Sequence, residues 1–206
     1  MGFYENHILP RAIHLVCGTE AFRRIRARWV PGATGRVLEI GAGSGLNFPF
    51  YSPNRVERLV ALEPSAALRR KAGPTAEQLA VPVEWVDCGA EDIPLEDASI
   101  DTVVVTYTLC SIEDDRRALA EMRRVLRPGG LLIFSEHGAA PEARVLRWQR
   151  RLTPLWRKVA GGCHLDRATT ERVRASGFVL EEVESGYLSR GPRWASFNTA
   201  GRARRP

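Results

Sequence analysis

Residues 36–45 read Arg-Val-Leu-Glu-Ile-Gly-Ala-Gly-Ser-Gly, a short apolar run followed at once by three glycines at alternate positions. A run of this length, rich in Val, Leu and Ile, predicts a strand that is buried on both faces, as in a parallel sheet. The glycines predict a sharp turn after the strand, where the backbone leaves room for a ligand. A dinucleotide-binding fingerprint would place its third glycine at position 46, which here is leucine, so that pattern is missed by one residue.

Similar apolar runs follow at Arg58–Leu62 and Ile100–Val105, and helix-like segments separate these runs. A further run, Leu131–Phe134, follows the breaker sequence Arg127–Gly130, and a weaker run spans Val81–Val86. Short runs of this composition that alternate with helices are typical of an α/β fold. We therefore predict five parallel strands.

Two helices are predicted between and after these strands. Residues 114–126 predict a covering helix, because their apolar side chains share one helical face: Ala118, Leu119, Met122, Val125 and Leu126. A second helix is predicted over Arg167–Ser176, with Asp166 as its N-cap and Gly177 as its C-cap.

The ends of the chain depart from this alternation. Phe178–Glu184 and Trp194–Thr199, joined by a turn that contains Gly and Pro, predict an antiparallel hairpin at the edge of the sheet. Residues 3–30 and Pro141–Gly162 both predict amphipathic helices. Long additions of this kind to a compact domain often carry specificity, so we expect Pro141–Gly162, with part of residues 3–30, to cover the acceptor pocket as a lid.

The composition indicates one compact domain. The chain has 206 residues, 44% of them apolar, with neither an apolar run of the roughly 18 to 20 residues that cross a membrane nor a signal-peptide layout. We expect a soluble, cytoplasmic protein. The four cysteines lack metal-site spacing and the histidines form no close pair, so no metal is predicted: Cys17, Cys88, Cys110 and Cys163. The net charge is +6, and its arginines are interspersed with Glu and Asp along most of the chain. This pattern favours a solvated surface over a nucleic-acid partner.

The order of motifs resembles the class I S-adenosylmethionine-dependent methyltransferases, in particular the methyltransferase type 11 group. Leu38–Gly45 resembles their first motif, an acidic and an apolar residue followed by Gly-x-Gly-x-Gly, and Glu63 matches the acidic residue that binds both ribose hydroxyls. Gly89–Leu95, followed by Asp97–Asp101, resembles the segment that borders adenine, and Leu126–Gly130 resembles the turn before the fifth strand. Each motif alone has a purely structural explanation, but their shared order and spacing favour one binding site.

This resemblance implies a Rossmann-like α/β domain over residues 1–206. Its sheet is expected to be mostly parallel, with a C-terminal antiparallel hairpin and helices on both faces. The implied divisions are an N-terminal helical cap (1–35), a cofactor-binding core (36–137), a helical lid insertion (138–165), and a C-terminal helix and hairpin (166–206).

The implied cofactor is S-adenosylmethionine, which becomes S-adenosylhomocysteine. A carboxylate at Glu63 suits the ribose because it accepts two hydrogen bonds at once, while Glu39 is expected to orient the methionine end. The residues around Thr108 are expected to face the sulfur that bears the methyl group. The implied cofactor-binding residues are Glu39, Gly41, Ala42, Gly43, Gly45, Asn47, Glu63, Pro64, Ala90, Glu91, Thr106 and Tyr107.

Two features of the sequence narrow the possible classes of methyl acceptor: the motifs that it lacks, and a second family resemblance. No acidic or Asn residue followed by Pro-Pro-aromatic comes after the fourth predicted strand, and no cysteine follows a proline, which argues against nucleic-acid methylation. Thr108–Ile112, Phe134–His137 and Gly162–Leu165 resemble the branch that contains the methyltransferase-like thiol methyltransferases of animals. That branch implies a small thiol acceptor. Its apolar membrane anchor is replaced here by an Arg-rich amphipathic segment, so we do not expect peripheral membrane contact.

Glu136 and His137 are predicted as catalytic residues because they end the fifth predicted strand, where the acceptor should approach. Histidine, with an unperturbed pKa of about 6.5, suits a general base near neutral pH, although a lone histidine at a strand end is as often structural. Two other functions remain open: a phospholipid or quinone methyltransferase, and a non-catalytic module that binds S-adenosylmethionine. The sequence does not predict an oligomeric state.

Overall fold

A computed structural model describes residues 4, 8–189 and 191–206, and these residues build a seven-stranded sheet. Its strands are β1 (Gly35–Ile40), β2 (Val56–Leu62), β3 (Val83–Val86), β4 (Ile100–Thr106), β5 (Leu126–His137), β6 (Val179–Tyr187) and β7 (Phe197–Arg204). The strand order is β3-β2-β1-β4-β5-β7-β6. Strands β1 to β5 run parallel, whereas β7 is antiparallel to both β5 and β6. This confirms the predicted mostly parallel sheet with a C-terminal hairpin.

The helices flank this sheet. They are α1 (Leu9–Cys17), α2 (Glu20–Trp29), α3 (Ala66–Glu77), α4 (Asp115–Val125), α5 (Ala143–Val159), α6 (Thr169–Ala175) and α7 (Arg193–Ser196). Helix α4 follows its prediction: its apolar face is fully buried, and Asp114 caps it by accepting a hydrogen bond from the Arg117 amide at 3.0 Å. Gly177, with φ +84°, ends the segment after α6 as predicted.

The core lies on both faces of the sheet. One face packs against α4 and α6, with Leu119, Met122 and Val173 fully buried. The other packs against α2 and α3, with Trp29 and Ala72 buried there. Because both faces are covered, the central strands are apolar along almost their whole length, as the sequence runs predicted.

Three details of the prediction are wrong. No α-helix forms in residues 41–55, all of which the structure describes, because Pro49 and Pro53 interrupt the short connection between β1 and β2 and leave one 3₁₀ turn, Phe48–Phe50. Strand β7 begins at Phe197, later than predicted, since Arg193–Ser196 forms the short helix α7. Strand β5 includes the predicted breaker, which the pairing with β4 skips through a register shift between Leu126 and Leu131.

The predicted N-cap of the second helix is a further error. Helix α6 begins at Thr169, and no side chain caps it. The Asp166 carboxylate instead accepts a hydrogen bond from the Thr153 hydroxyl at 3.1 Å. Arg167 donates to the carbonyl of Leu109 at 2.5 Å, which holds this stretch against the loop after β4 and outside the helix.

Strand order places a ligand site in this fold. The chain moves outward from β1 to β2 and β3, then returns to place β4 on the other side of β1. In open parallel sheets, ligands bind beyond the carboxyl ends of the strands at such a reversal. Within the described residues, no helix is long and apolar enough to cross a membrane, and no group of three or more His, Cys, Asp or Glu side chains is placed to hold a metal ion.

Candidate functional site

A cavity of about 280 Å³ opens at the carboxyl ends of β1, β2 and β4. Its volume is near the lower end, roughly 300 Å³, of small-molecule pockets. Its lining residues come from the loops after these strands, from α1 and α2, and from the turn after α5: Ile13, Cys17, Arg26, Glu39, Gly41, Ala42, Gly43, Ser44, Leu46, Asn47, Glu63, Pro64, Leu68, Thr106, Tyr107, Thr108, Ser111 and Gly161. All the predicted cofactor-binding residues except Gly45, Ala90 and Glu91 belong to this set.

The glycine loop after β1 forms one wall of the cavity. Gly41 has φ +65°, and a Cβ there would lie 2.3 Å from the Thr108 hydroxyl oxygen, so no larger residue fits. Gly43 has φ +57°, and the nearest atom to an added Cβ is 3.8 Å away. Gly43 thus lines the cavity with open space around its Cα. Gly45, with φ +75°, lies outside the cavity and packs against the ring of Phe48.

Glu63 is fixed by backbone amides at the end of β2. Its Oε2 accepts a hydrogen bond from the Gly43 N–H at 2.8 Å, and its Oε1 accepts one from the Ser65 N–H at 2.8 Å. Burial raises the pKa of Glu63, and the two amides act in the opposite direction. An ionised carboxylate has about four lone-pair sites, so each oxygen keeps capacity for one further donor.

Glu39 is the centre of a buried polar network at the end of β1. Its carboxylate accepts hydrogen bonds from Tyr51 at 2.8 Å and from the Asn47 amide at 3.0 Å, and Asn47 also donates to Thr106 at 3.0 Å. Burial raises the pKa of Glu39 to about 7, although these hydrogen bonds and the charge of Arg26 lower it in part. Among the described residues, Asn47 Oδ1 has no hydrogen-bond partner.

Tyr107 and Arg26 line the same cavity. Tyr107 has φ +55°, a left-handed conformation that is costly for a bulky residue, and its ring packs against Phe22 and His137. The Arg26 guanidinium lies 5.2 Å from the centre of that ring and donates to the Cys17 carbonyl at 2.6 Å. Arg26 is only 4% exposed, and within the described part of the chain its Nε has no partner. Here the cavity holds a buried cation with a free donor.

Helix α1 covers the cavity. Ile13 and Cys17 on its inner side line the space, and His14 Nδ1 lies 2.7 Å from the Ser44 hydroxyl of the glycine loop. Burial lowers the pKa of His14, with a smaller effect of the nearby Lys71 charge. Gly161, after α5, also lines the cavity and lies beside Leu9 of α1.

Glu136 is not in the cavity lining. It is fully buried, and its carboxylate accepts hydrogen bonds from the N–H groups of Thr108, Leu109 and Cys110 at 2.9 to 3.1 Å. Burial raises the pKa of Glu136, and these amides lower it in part. The side chain thus holds the loop after β4 in place.

His137, Ala90 and Glu91 also lie outside the lining. Burial lowers the pKa of His137 to about 4, its ring packs against Phe22 and Tyr107, and its Nδ1 lacks a partner among the described residues. Ala90 is part of the core on the α4 side of the sheet. A larger hollow of about 540 Å³ lies between α3 and β3, but Glu77 is the single titratable side chain among its described lining residues.

Sequence reasoning missed Arg26, Ile13, Tyr51 and Gly161. For Arg26 a signal was present: Phe22, Arg26 and Trp29 are spaced three to four residues apart, and all three are buried. An arginine within the apolar face of a short helix is a candidate for a ligand contact. Ile13 and Gly161 carry no comparable signal, because only the packing of α1 and α5 brings them to the cavity.

The residues at this cavity fit S-adenosylmethionine. The orphaned Asn47 Oδ1 and the remaining acceptor capacity of Glu63 line the same cavity as a loop that has no room for a side chain at Gly41 and is open at Gly43. Two carboxylates, at Glu39 and Glu63, suit an ammonium group and a pair of ribose hydroxyls. Neighbouring groups thus offer both the acceptors and the open backbone that this ligand requires.

Comparison with known proteins agrees with this geometry. Residues 38–134 match the family described as Methyltransferase domain. Thiol S-methyltransferase TMT1B of Homo sapiens is 38% identical over 171 residues, which cover 80% of this chain and 68% of the relative. Phosphatidylethanolamine N-methyltransferase of Cereibacter sphaeroides is 32% identical over 175 residues, covering 84% and 83%.

Solved structures give the same fold. The structure of an S-adenosylmethionine-dependent methyltransferase from Thermotoga maritima matches with a TM-score of 0.65 at 24% identity, covering 98% of this chain and 99% of that one. The chain spans 62% to 70% of the length of the thiol S-methyltransferases that it matches.

Proposed function

The chain belongs to the S-adenosylmethionine-dependent methyltransferases, and from that premise we propose that it methylates the sulfur of a small, largely apolar thiol. The observation that carries this proposal is the buried cation Arg26, which lines the same cavity as the glycine loop and Glu63. A cation in this position favours an acceptor that reacts as an anion. Among thiols, phenols and aliphatic hydroxyls, thiols ionise most readily, with a pKa of about 8.5 for cysteine.

Each end of the cavity has a separate role in this proposal. Glu63 binds the ribose hydroxyls with the lone pairs that Gly43 and Ser65 leave free. Glu39 pairs with the ammonium group of the methionine end, and Asn47 presents its free oxygen beside it. Ala90 and Glu91 lie beyond the cavity lining, so contact with adenine requires the ligand to extend past Pro64.

The proposed reaction requires few catalytic groups from the protein. When bound, S-adenosylmethionine supplies an electrophilic methyl group on a sulfonium sulfur. Arg26 stabilises the thiolate, so the thiol proton can leave to water without a strong base. Tyr107 and Cys17 hold the thiolate in line with the methyl carbon and exclude water from this end, and correct positioning supplies much of the rate. Arg26, Tyr107 and Cys17 keep the thiolate in place while its sulfur accepts the methyl group of a bound donor, which keeps the electron pair of the broken bond as S-adenosylhomocysteine.

Glu136 and His137 act by position in this account. Glu136 fixes the loop that carries Thr108 and Ser111, and His137 supports the ring of Tyr107. We therefore expect His137→Gln to leave the pH profile of thiol methylation unchanged. A lost or displaced acid limb in this variant would instead make His137 the general base.

The acceptor is tested by matched pairs. The protein is incubated with S-adenosylmethionine labelled on the methyl group and with alkyl or aryl thiols, each paired with its hydroxyl analogue. We expect label in the thiols alone, with one S-adenosylhomocysteine formed for each methyl group transferred. Equal turnover of both members of a pair, or turnover of hydroxyl acceptors alone, would exclude thiol specificity.

A phospholipid amine is the second candidate acceptor. The relative from Cereibacter sphaeroides is named a phosphatidylethanolamine N-methyltransferase and is covered over 83% of its length, more than the thiol S-methyltransferases. Label in phosphatidylethanolamine vesicles, with none in the thiols, would favour this alternative. A non-catalytic module would bind S-adenosylmethionine and release no S-adenosylhomocysteine with any acceptor.

A further inference from the structure

The outer side of α1 is mostly apolar although it faces solvent, with Arg11 as its one charged side chain. Leu15 is 71% exposed, and Ile8, Ala12 and Val16 are exposed on the same side. The inner side of the helix is apolar as well, since Ile13 and Cys17 line the cavity. A helix that is apolar on both sides is normally buried, so the outer side lacks the cover that its sequence requires.

Helix α5 adds a second apolar row beside it. Leu155 is 66% and Trp148 50% exposed, and Val159 is exposed too. Their spacing of seven and four residues puts all three on one side of the helix. Tyr4 of the N-terminal segment donates to the Val159 carbonyl at 2.6 Å, and Leu9 lies beside Gly161. The two rows thus form one surface, which we call the α1–α5 face.

All the charged side chains of α5 are positive. The helix carries six basic side chains and no acidic one: Arg144, Arg147, Arg150, Arg151, Arg157 and Lys158. The net charge of the whole chain is also +6, so the remaining residues hold equal numbers of basic and acidic side chains. All six are exposed, and none forms a salt bridge with another described residue.

We propose that the α1–α5 face docks on an anionic lipid bilayer, with Trp148, Leu155 and Leu15 in the interface and the basic side chains of α5 on the phosphates. Helices with Lys and Arg on one side and Trp or Leu on the other bind membranes in this way. Indole rings favour the headgroup level. A polyanion without an apolar phase would satisfy the basic side chains alone, and a second copy of the chain would bring like charges together. This proposal reverses the expectation from the sequence that peripheral membrane contact is absent, and it is independent of the acceptor atom.

The test is sedimentation of the purified chain with vesicles, without methyl donor or acceptor. Vesicles of phosphatidylcholine are compared with vesicles that also contain phosphatidylglycerol. We expect binding to the anionic vesicles alone, and binding that weakens as salt rises, because basic residues near an anionic surface are screened within a Debye length. Failure to bind anionic vesicles at low salt would overturn the proposal.

Matched variants separate this face from the rest of the surface. Arg147→Gln with Arg151→Gln should weaken vesicle binding roughly thirtyfold, since each cation near the surface contributes independently. Arg116→Gln, an exposed arginine on α4, should not change it. Leu155→Ser should weaken binding, whereas Val179→Ser, at a comparably exposed apolar position of 56% on β6, should not.

Other occupants would give different results. Equal effects of Leu155→Ser and Val179→Ser would exclude the α1–α5 face as the docking surface. Light scattering that shows a dimer which Leu155→Ser dissociates would assign the face to a second copy of the chain. Binding of duplex DNA as tight as that of anionic vesicles would assign the basic side chains to nucleic acid. Thermal unfolding of each variant confirms that the comparison involves folded protein.

Discussion

The two ends of the cavity are built in different ways. The donor end, from Glu39 to Glu63, consists mainly of backbone: a glycine loop and a carboxylate held by two amides. The end that we propose for the acceptor is built from separate elements, with Arg26 from α2, Tyr107 after β4 and Gly161 after α5. A short stretch of sequence can encode the donor end, whereas the acceptor end depends on how distant segments pack. Its side chains can change while the donor end stays the same.

Gly43→Val is the strongest way to break the donor end. The new side chain would project toward the bound ligand, and we expect no measurable heat of S-adenosylhomocysteine binding in calorimetry. The backbone strain of a left-handed residue adds about 1–2 kcal/mol of instability.

Gly129→Val controls for that strain. Gly129 has φ +74° and nothing within 4 Å of an added Cβ, but it lies in β5 away from the cavity. The two variants should lose similar stability in thermal unfolding, and Gly129→Val should still bind. Loss of binding in both would mean that strain, and not obstruction of the cavity, is responsible.

Glu63→Gln should weaken donor binding roughly a hundredfold, because hydrogen bonds to a charged group contribute about 1.5–3 kcal/mol each and two ribose contacts are affected. The new amide would also face the N–H of Gly43 or Ser65 with a donor. Glu84→Gln, at an exposed position on β3, is the control. Unchanged affinity for S-adenosylhomocysteine in Glu63→Gln would remove this carboxylate from the donor site.

The raised pKa of Glu39 predicts how the free energy of unfolding depends on pH. Because its pKa in the folded protein is about 7, above the ordinary 4.5, the folded state keeps a proton that the unfolded chain loses. Stability without ligand should therefore fall by about 3 kcal/mol as pH rises from about 4.5 to 7.

His137, whose pKa is lowered to about 4, has the opposite effect: its contribution is lost as pH falls below 6.5. The difference between wild type and Glu39→Gln in denaturant unfolding isolates Glu39. Parallel curves for the two proteins across this range would contradict the assignment.

Arg26→Met tests the acceptor end. Removing one charge-assisted contact should lower kcat/KM for the thiol about tenfold and move the acid limb of its pH profile upward. Arg26→Lys keeps the positive charge, so the acid limb of its pH profile should stay close to the wild-type position. Affinity for S-adenosylhomocysteine should stay the same in both variants. A loss of donor affinity with an unchanged pH profile would place the donor carboxylate, and not the thiolate, on Arg26.

The contrast between locally encoded elements and elements that depend on packing also explains which features the sequence could predict. Strands β1 to β4, α4 and the glycine loop have local patterns, and each was predicted close to its observed place. The helix predicted between β1 and β2 does not form, because two prolines interrupt this short connection. Asp166 looked like an N-cap, but Thr153, thirteen residues away, binds its carboxylate. Arg26 reaches the cavity only because α2 packs beside Tyr107, a contact between residues far apart in sequence.

A crystal structure with S-adenosylhomocysteine tests the central claim most directly. The account predicts the ribose hydroxyls within hydrogen-bond distance of both Glu63 oxygens, the methionine end beside Glu39, and the sulfur directed toward Tyr107 and Arg26. A ligand bound elsewhere, such as in the hollow between α3 and β3, or one whose sulfur points away from Arg26, would contradict the division into a donor end and an acceptor end.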